Sequence, residues 1–259
     1  MLHKQTDISK QMQTVLLLMS CLYAITMLTL AFIGGTMNYS SVPYWDMWDA
    51  SYKFYIDLKA GQINEIWKQH NEHRIVLSKL LFWVDYEFFG GKSAFLIFIN
   101  YLLLSLGVFT LIQYTKKLAG KPNWDKSTLT FNFFLTGWIF SWVQHENIVW
   151  GFQSQFFLSV LLPLIAFFFL ASSIRNHNKV YFSLACIFGV LSAGTMANGI
   201  LTLPLMVIFS LISASSWYHR GILTGLSIIT VIAYFYGYHS PSHHPNILTS
   251  LTIAPYGTL

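Results

Sequence analysis

Residues 13–49 read "QTVLLLMSCLYAITMLTLAFIGGTMNYSSVPYWDMWD". From 13 to 34 the stretch carries no charge. At about 1.5 Å of helix per residue, a run of this length crosses the roughly 30 Å hydrocarbon core of a bilayer. It is too long for a signal-peptide core and lacks a small-x-small cleavage site, so it reads as a retained anchor. Directly after it, "PYWDMWD" (43–49) sets two carboxylates beside two tryptophans at what reads as a membrane edge.

Acids are scarce in this chain. Of 259 residues, 54% are hydrophobic, 17% aromatic and 10% charged. A soluble domain charges about a quarter of its residues, so lipid must serve as part of this chain's solvent. The net charge of +5 does not indicate nucleic acid, because the basic residues are spread along connectors rather than gathered in a patch. Cys21 and Cys186 sit inside apolar runs and read as small packing residues, with neither a disulfide nor thiol chemistry.

Further apolar runs at 93–115, 127–143, 154–174, 180–197, 200–216 and 221–238 predict an all-α, polytopic transmembrane helical bundle of about seven spans. The whole of 1–259 reads as a single membrane domain. With the N-terminus inside, nine of the 15 basic residues and two of the ten acids fall on the inner side. The outer basic residues fall in one long loop, where the positive-inside rule is weakest. The N-terminus is therefore expected in the cytoplasm, and the polar chemistry on the outer side.

The loop 35–92 is too long for a connector. Its apolar spacing predicts two amphipathic helices in the interface plane, one from Asp49 to about Leu58, stopped at Gly61, and one from Asn71 to Phe89. Asp49 suits a helix cap. Asp46, between Trp45 and Trp48 in low-dielectric surroundings, suits a general base, and equally a ligand for a divalent metal.

Three further segments carry candidates. In "QHNEHR" (69–74), His70 and His73 could share a helical face beside Glu72 and Arg74. The run lacks the His-x-x-x-His spacing of zincins and fits an anion site better, with the Arg74 fork and an imidazole as donors. In "WVQHENIVWGFQSQ" (142–155), Gln144, His145, Glu146, Asn147, Gln153 and Gln155 stand where a minimal turn would suffice, and polar groups at membrane depth are retained mainly where they face a cavity or another protein group. "TMANG" (195–199) reads as a tight turn, or as helix ends offering free amides near a site. "YHSPSHHPN" (238–246) reads as a solvated loop.

Taken together, an inside N-terminus, one span, an outer loop opening on "PYWDMWD" and two surface helices before the next span resemble the GT-C glycosyltransferases. The resemblance covers about residues 10–240. It implies a polytopic enzyme using a polyprenyl-phosphate-linked sugar, with an acidic residue of the first outer loop as catalytic base or metal ligand. By position that role falls on Asp46, with Asp49 second. Many members continue into more spans and an outer domain, so the chain, ending in "LTIAPYGTL", is expected to be either a minimal module or a truncated one.

The resulting expectation is sugar transfer at the outer face of a bacterial cytoplasmic membrane. Asp46, Asp49 and Glu146 are the catalytic candidates. His70, Glu72, His73, Arg74, His145 and Gln153 would contact the substrate. The partners would be the lipid-linked donor and membrane lipid, with no cofactor beyond an open place for a divalent metal. A lipid or solute transporter is the alternative, and would need charge in mid-span. A noncatalytic membrane partner subunit is a third reading, with the outer cluster as an interface.

Overall fold

The first apolar run continues to residue 37 as one 36-residue helix, α1 (Leu2–Met37). The computed structural model of the chain describes residues 2–120 and 125–240, with only the backbone at 2–9 and 119. The final apolar stretch 247–259 and the histidines of 243–244 lie outside the described residues. After α1 come α2 (Phe54–Lys59), α3 (Val76–Phe89), α4 (Ala94–Ala119), α5 (Lys126–Ile139), α6 (His145–Val149), α7 (Ser154–Asn176), α8 (Lys179–Ser192), α9 (Thr202–Ile212) and α10 (Trp217–Phe235). Among the described residues there is no strand, and the chain is all-α.

Three helical stretches are long and apolar enough to cross a membrane: Lys10–Met37, Ala94–Leu118 and Gly151–Asn176. On α1, Leu18, Met19, Leu22 and Phe32 are 63–67% exposed, an apolar face that water would not tolerate cheaply and lipid would cover. Helices α5 and α8 have 14 residues and α9 has 11, so at 1.5 Å per residue they reach only roughly 16–21 Å. Hydropathy reads straight through the turn "SAGTMANG" (192–199) and so lengthens both flanking runs. In the structure α8 ends at Ser192, and α9 begins only after a 3-10 turn at Ala197–Leu201.

That turn closes on Gly199. A Cβ there would stand 1.9 Å from the Ser192 carbonyl oxygen, so only hydrogen fits. Gly199→Ala is expected to destabilise the protein by about 3 kcal/mol, read as a lowered midpoint in thermal denaturation; an unchanged midpoint would contradict the packing described.

Hydrogen bonds between neighbouring helices gather at the two ends of the bundle. At one end Lys126 Nζ donates to Thr14 Oγ1 (2.7 Å) and Thr115 Oγ1 to Asn132 Oδ1 (2.8 Å). At the other, Tyr101 OH donates to the Ala31 carbonyl (2.6 Å) and Tyr39 OH to that of Lys92 (2.7 Å). The second end carries the long loop. There a π-helical turn (Trp48–Lys53) runs into α2, and the chain turns away at Gly61 (φ +90°).

Helix α3 differs from the sequence reading at its start. It starts at Val76 rather than Asn71, because Gln69–Arg74 is a hairpin. Its inner face is the polar one: Ser78, Lys79 and Asp85 are buried with Ile75 and Phe82, whereas Leu80, Phe88 and Phe89 are exposed. A helix lying on lipid turns its apolar side outward, so its polar groups must find partners inside the protein. Ser78 Oγ does so by accepting from Ser154 Oγ at 2.8 Å. Asp85 accepts from the Ser93 N–H at 3.1 Å, and its burial raises the carboxyl pKa from the ordinary value.

Candidate functional site

The loop and the segment before α7 meet over a buried cluster of Met47, Ala50, Ile75, Phe82, Leu96 and Phe152. Met47 directly follows Asp46, and Phe152 directly precedes Gln153, so the cluster fixes both polar residues by packing their neighbours. Phe82 and Phe152 stack at 5.4 Å, and the His70 ring meets Phe152 edge-on at 5.6 Å.

Asp46 sits in a tight turn. The Met47 N–H donates to the Tyr44 carbonyl (3.1 Å), and Trp45 takes φ 49°. A bulky residue in the left-handed region is strained, and such strain persists only where the surroundings over-determine it. His70 and His73 come from a second tight turn, each donating its N–H to the other's carbonyl at 2.8 and 2.9 Å, with Asn71 at φ 49°. Residues that exchange both backbone hydrogen bonds project on the same side. The two imidazoles therefore share a face, through a hairpin and not through the helix expected from their spacing.

The three lines of chain enclose a cavity of about 380 Å³, lined by Trp45, Asp46, His70, Asn71, His73, Ile75, Trp150, Phe152, Gln153, Gln155, Phe156 and Met196. Asp46 Oδ2 lies 3.7 Å from His70 Nε2, an ion-pair separation longer than a hydrogen bond. Burial lowers the His70 pKa, against the opposing pull of Asp46, which favours the neutral ring near pH 7. His73 is held at both ring nitrogens. Nδ1 accepts from the Ala197 N–H (3.2 Å), and Nε2 lies 3.3 Å from Glu72 Oε1. In the neutral ring that arrangement puts the proton on Nε2. The "TMANG" turn thus contributes an amide that orients an imidazole.

Several candidates fall elsewhere. Asp49 is exposed inside the π-helical turn, caps nothing, and lines a smaller neighbouring cavity of about 150 Å³ with Lys53, Asp57, Glu65, Lys68, His70 and Lys79. His145 and Glu146 are exposed on α6 and outside the cavity wall, with His145 against Trp142 at 5.5 Å. Glu72 reaches the cavity only through His73. Among the described residues no three His, Cys, Asp or Glu side chains converge as metal ligands; Asp46 and His70 offer two.

Arg74 is the largest departure from the anion-site expectation. It is buried, and its Nε, Nη1 and Nη2 donate to the carbonyls of Tyr234 (2.7 Å), Trp67 (2.5 Å) and Tyr236 (2.8 Å). Two of these lie at the C-terminal end of α10, where carbonyls lack helical partners and the dipole favours a cation. Arg74 thus ties the loop to α10 from behind the hairpin and is not aimed into the cavity.

Lys79, also buried, donates to the carbonyls of Glu65 and Lys68, both at 2.6 Å. Burial brings its pKa down from 10.5 to about 8. Between those values the unfolded chain holds a proton that the folded one has released, so stability rises with pH through that window, by roughly 3 kcal/mol at full titration. A neutral amine still has two N–H groups for the two carbonyls. Lys79→Met is expected to lack this alkaline gain when denaturation is followed from pH 7.5 to 10.5; equal slopes in the two proteins would contradict it.

Sequence reasoning missed Trp150, and it noted Gln155 among the polar residues of 142–155 without assigning it to the site. Trp150 stacks on Trp45 (6.3 Å, 16°) with Tyr44 edge-on to it (5.6 Å), and Gln155 is buried. The segment is held by Asn100 of α4, whose Nδ2 donates to the carbonyls of Asn147, Ile148 and Trp150. An amide inside the apolar α4 run was the signal that could have located it. Comparison with known proteins finds no matching family model, no matching curated protein and no matching solved structure.

Proposed function

We propose that this chain is a polyprenyl-phosphate-dependent glycosyltransferase of the GT-C type, working on the outer face of a polytopic, N-terminus-inside helical bundle. The observation that carries the reading is the aromatic-walled cavity that gathers Asp46, His70, His73 and Gln153 from two separate connectors. A transporter would need charge within its spans, and on α4 and α7 the charged residues, Lys116, Lys117 and Arg175, stand in the last turns.

In the proposed reaction Asp46 accepts the proton of the acceptor hydroxyl as that oxygen attacks the anomeric carbon. The bond from that carbon to the phosphate oxygen breaks, and the lipid phosphate leaves with the electron pair. A neutral His70 leaves the Asp46 carboxylate available as base. None of the twelve lining residues is Lys or Arg, so the phosphate belongs at the cavity mouth. Its tail has an apolar groove of about 450 Å³ between α4, α5 and α7, lined by Leu104, Gly107, Trp138, Phe157 and Leu161 among others. Phe156 and Phe157, adjacent on α7, wall the cavity and the groove respectively.

Purified protein in lipid nanodiscs should release labelled sugar from a polyprenyl-phosphoryl hexose to an acceptor alcohol. Folded protein that turns over no such donor would refute the reading.

A further inference from the structure

Three residues that line the cavity each carry a buried polar atom with no hydrogen-bond partner in the protein: Gln153 at Oε1, Gln155 at Oε1 and Trp150 at Nε1. Gln153 is 6% exposed and Gln155 3%. Leaving such groups unpaired is unfavourable, and native proteins rarely do so without a ligand or ordered solvent. All three belong to residues that line one cavity, and together they offer two acceptors and one donor.

The surroundings narrow what could satisfy that set. Trp45, Trp150, Phe152 and Phe156 supply apolar faces whose π-electron density attracts the weakly positive hydrogens of a C–H surface. A hydroxyl donates to an amide oxygen and accepts from an indole N–H, so one chemical group serves all three atoms. It also serves an amide whose oxygen and nitrogen are exchanged. The charge in the wall is the Asp46 carboxylate, with no lysine or arginine opposite it, which disfavours an anion. The cavity's 380 Å³ lies within the ~300–1,000 Å³ of small-molecule sites.

We infer that Gln153, Gln155 and the Trp45–Trp150 pair form a subsite for a neutral, polyhydroxylated ring, an uncharged hexose, and that it discriminates against acidic sugars. That the ring arrives on a lipid phosphate rests on the transferase reading above; the recognition chemistry is the same for a free sugar.

Calorimetric titration of the protein in nanodiscs separates the cases. The probes are citronellyl-phosphoryl-glucose, citronellyl-phosphoryl-glucuronate, citronellyl phosphate and methyl glucoside. The glucosyl lipid is expected to bind at least about tenfold more tightly than the glucuronyl lipid or the bare phosphate, the worth of one or two buried hydrogen bonds. Gln155→Leu and Gln153→Leu should each remove about tenfold of that advantage while leaving citronellyl phosphate unchanged. Trp150→Phe, which keeps a ring and loses the N–H, should remove a smaller part.

Binding of methyl glucoside with the same glutamine dependence would support the subsite and identify a free sugar as its source. Equal or tighter binding of the glucuronyl lipid to the unaltered protein would overturn the inference, whatever the variants do. So would glutamine variants that weaken bare citronellyl phosphate as much as the glucosyl lipid. Selective glucosyl binding without transfer would leave the subsite standing and remove the enzymatic reading; transfer without selectivity would do the reverse.

Discussion

Asp46→Asn is expected to lower sugar transfer roughly a thousandfold, the usual range for losing a positioned general base, with little change in thermal stability or in donor binding. Asparagine matches aspartate in size and shape but cannot take the proton of the attacking hydroxyl. The Asp46 side chain is 40% exposed, and its structural contribution is a backbone one, the carbonyl that accepts from the Ala50 N–H at 2.9 Å. The substitution leaves that bond alone. Asp49→Asn is the matched control, an exposed carboxylate directly after Trp48 and outside the cavity. It should change transfer by no more than about twofold, as surface substitutions away from such features usually do. The reverse ranking would move the base to Asp49. Acid should act in the same direction as Asp46→Asn. Burial holds the His70 pKa below its ordinary value, so activity should persist at neutral pH. It should fall only when acid charges the imidazole and pairs it with Asp46.

The second large effect concerns Arg74. Arg74→Met should destabilise the protein by about 4 kcal/mol, because three carbonyls lose a charged donor together and two of them close the end of α10. For a chain of this size that corresponds to a fall in Tm of about 10 °C. Arg74→Lys should recover only part of it, since an ammonium cannot hold three acceptors in the planar geometry of a guanidinium. Were Arg74 instead a phosphate ligand, as its place in "QHNEHR" suggests, Arg74→Met would raise the KM for donor and leave Tm unmoved.

The contrast between Arg74 and Asp46 shows where the sequence was readable. The three long helices follow from apolar run length alone, and the loop helices from Gly61, the Gly90 cap and the apolar spacing between them. Asp46 stood out because a carboxylate between tryptophans in a chain with ten acids requires a reason. Arg74 could not be read the same way. Its partners lie 160 and 162 residues away along the chain, and no local pattern announces them. The inner face of α3 was not legible for a related reason. Periodicity reports which residues differ from their neighbours, but not whether water or lipid lies outside, and with lipid outside Ser78, Lys79 and Asp85 turn inward. His70 and His73 were paired correctly as residues sharing a face and incorrectly as residues of a helix, since a spacing of three suits both a helical turn and a two-residue hairpin. Glu146 and His145 drew attention as polar residues between apolar runs, yet α6 points them away from the cavity while the less conspicuous Gln153 and Gln155 line it.

A donor with a diazirine on its sugar would locate the hexose directly. After photolysis in nanodiscs and peptide mass spectrometry, the adducts should fall on Trp45, Trp150 and Phe156 and be displaced by excess unmodified donor. Competable adducts confined to α6 or to the far, basic ends of α4 and α7, with none on either tryptophan, would contradict the site.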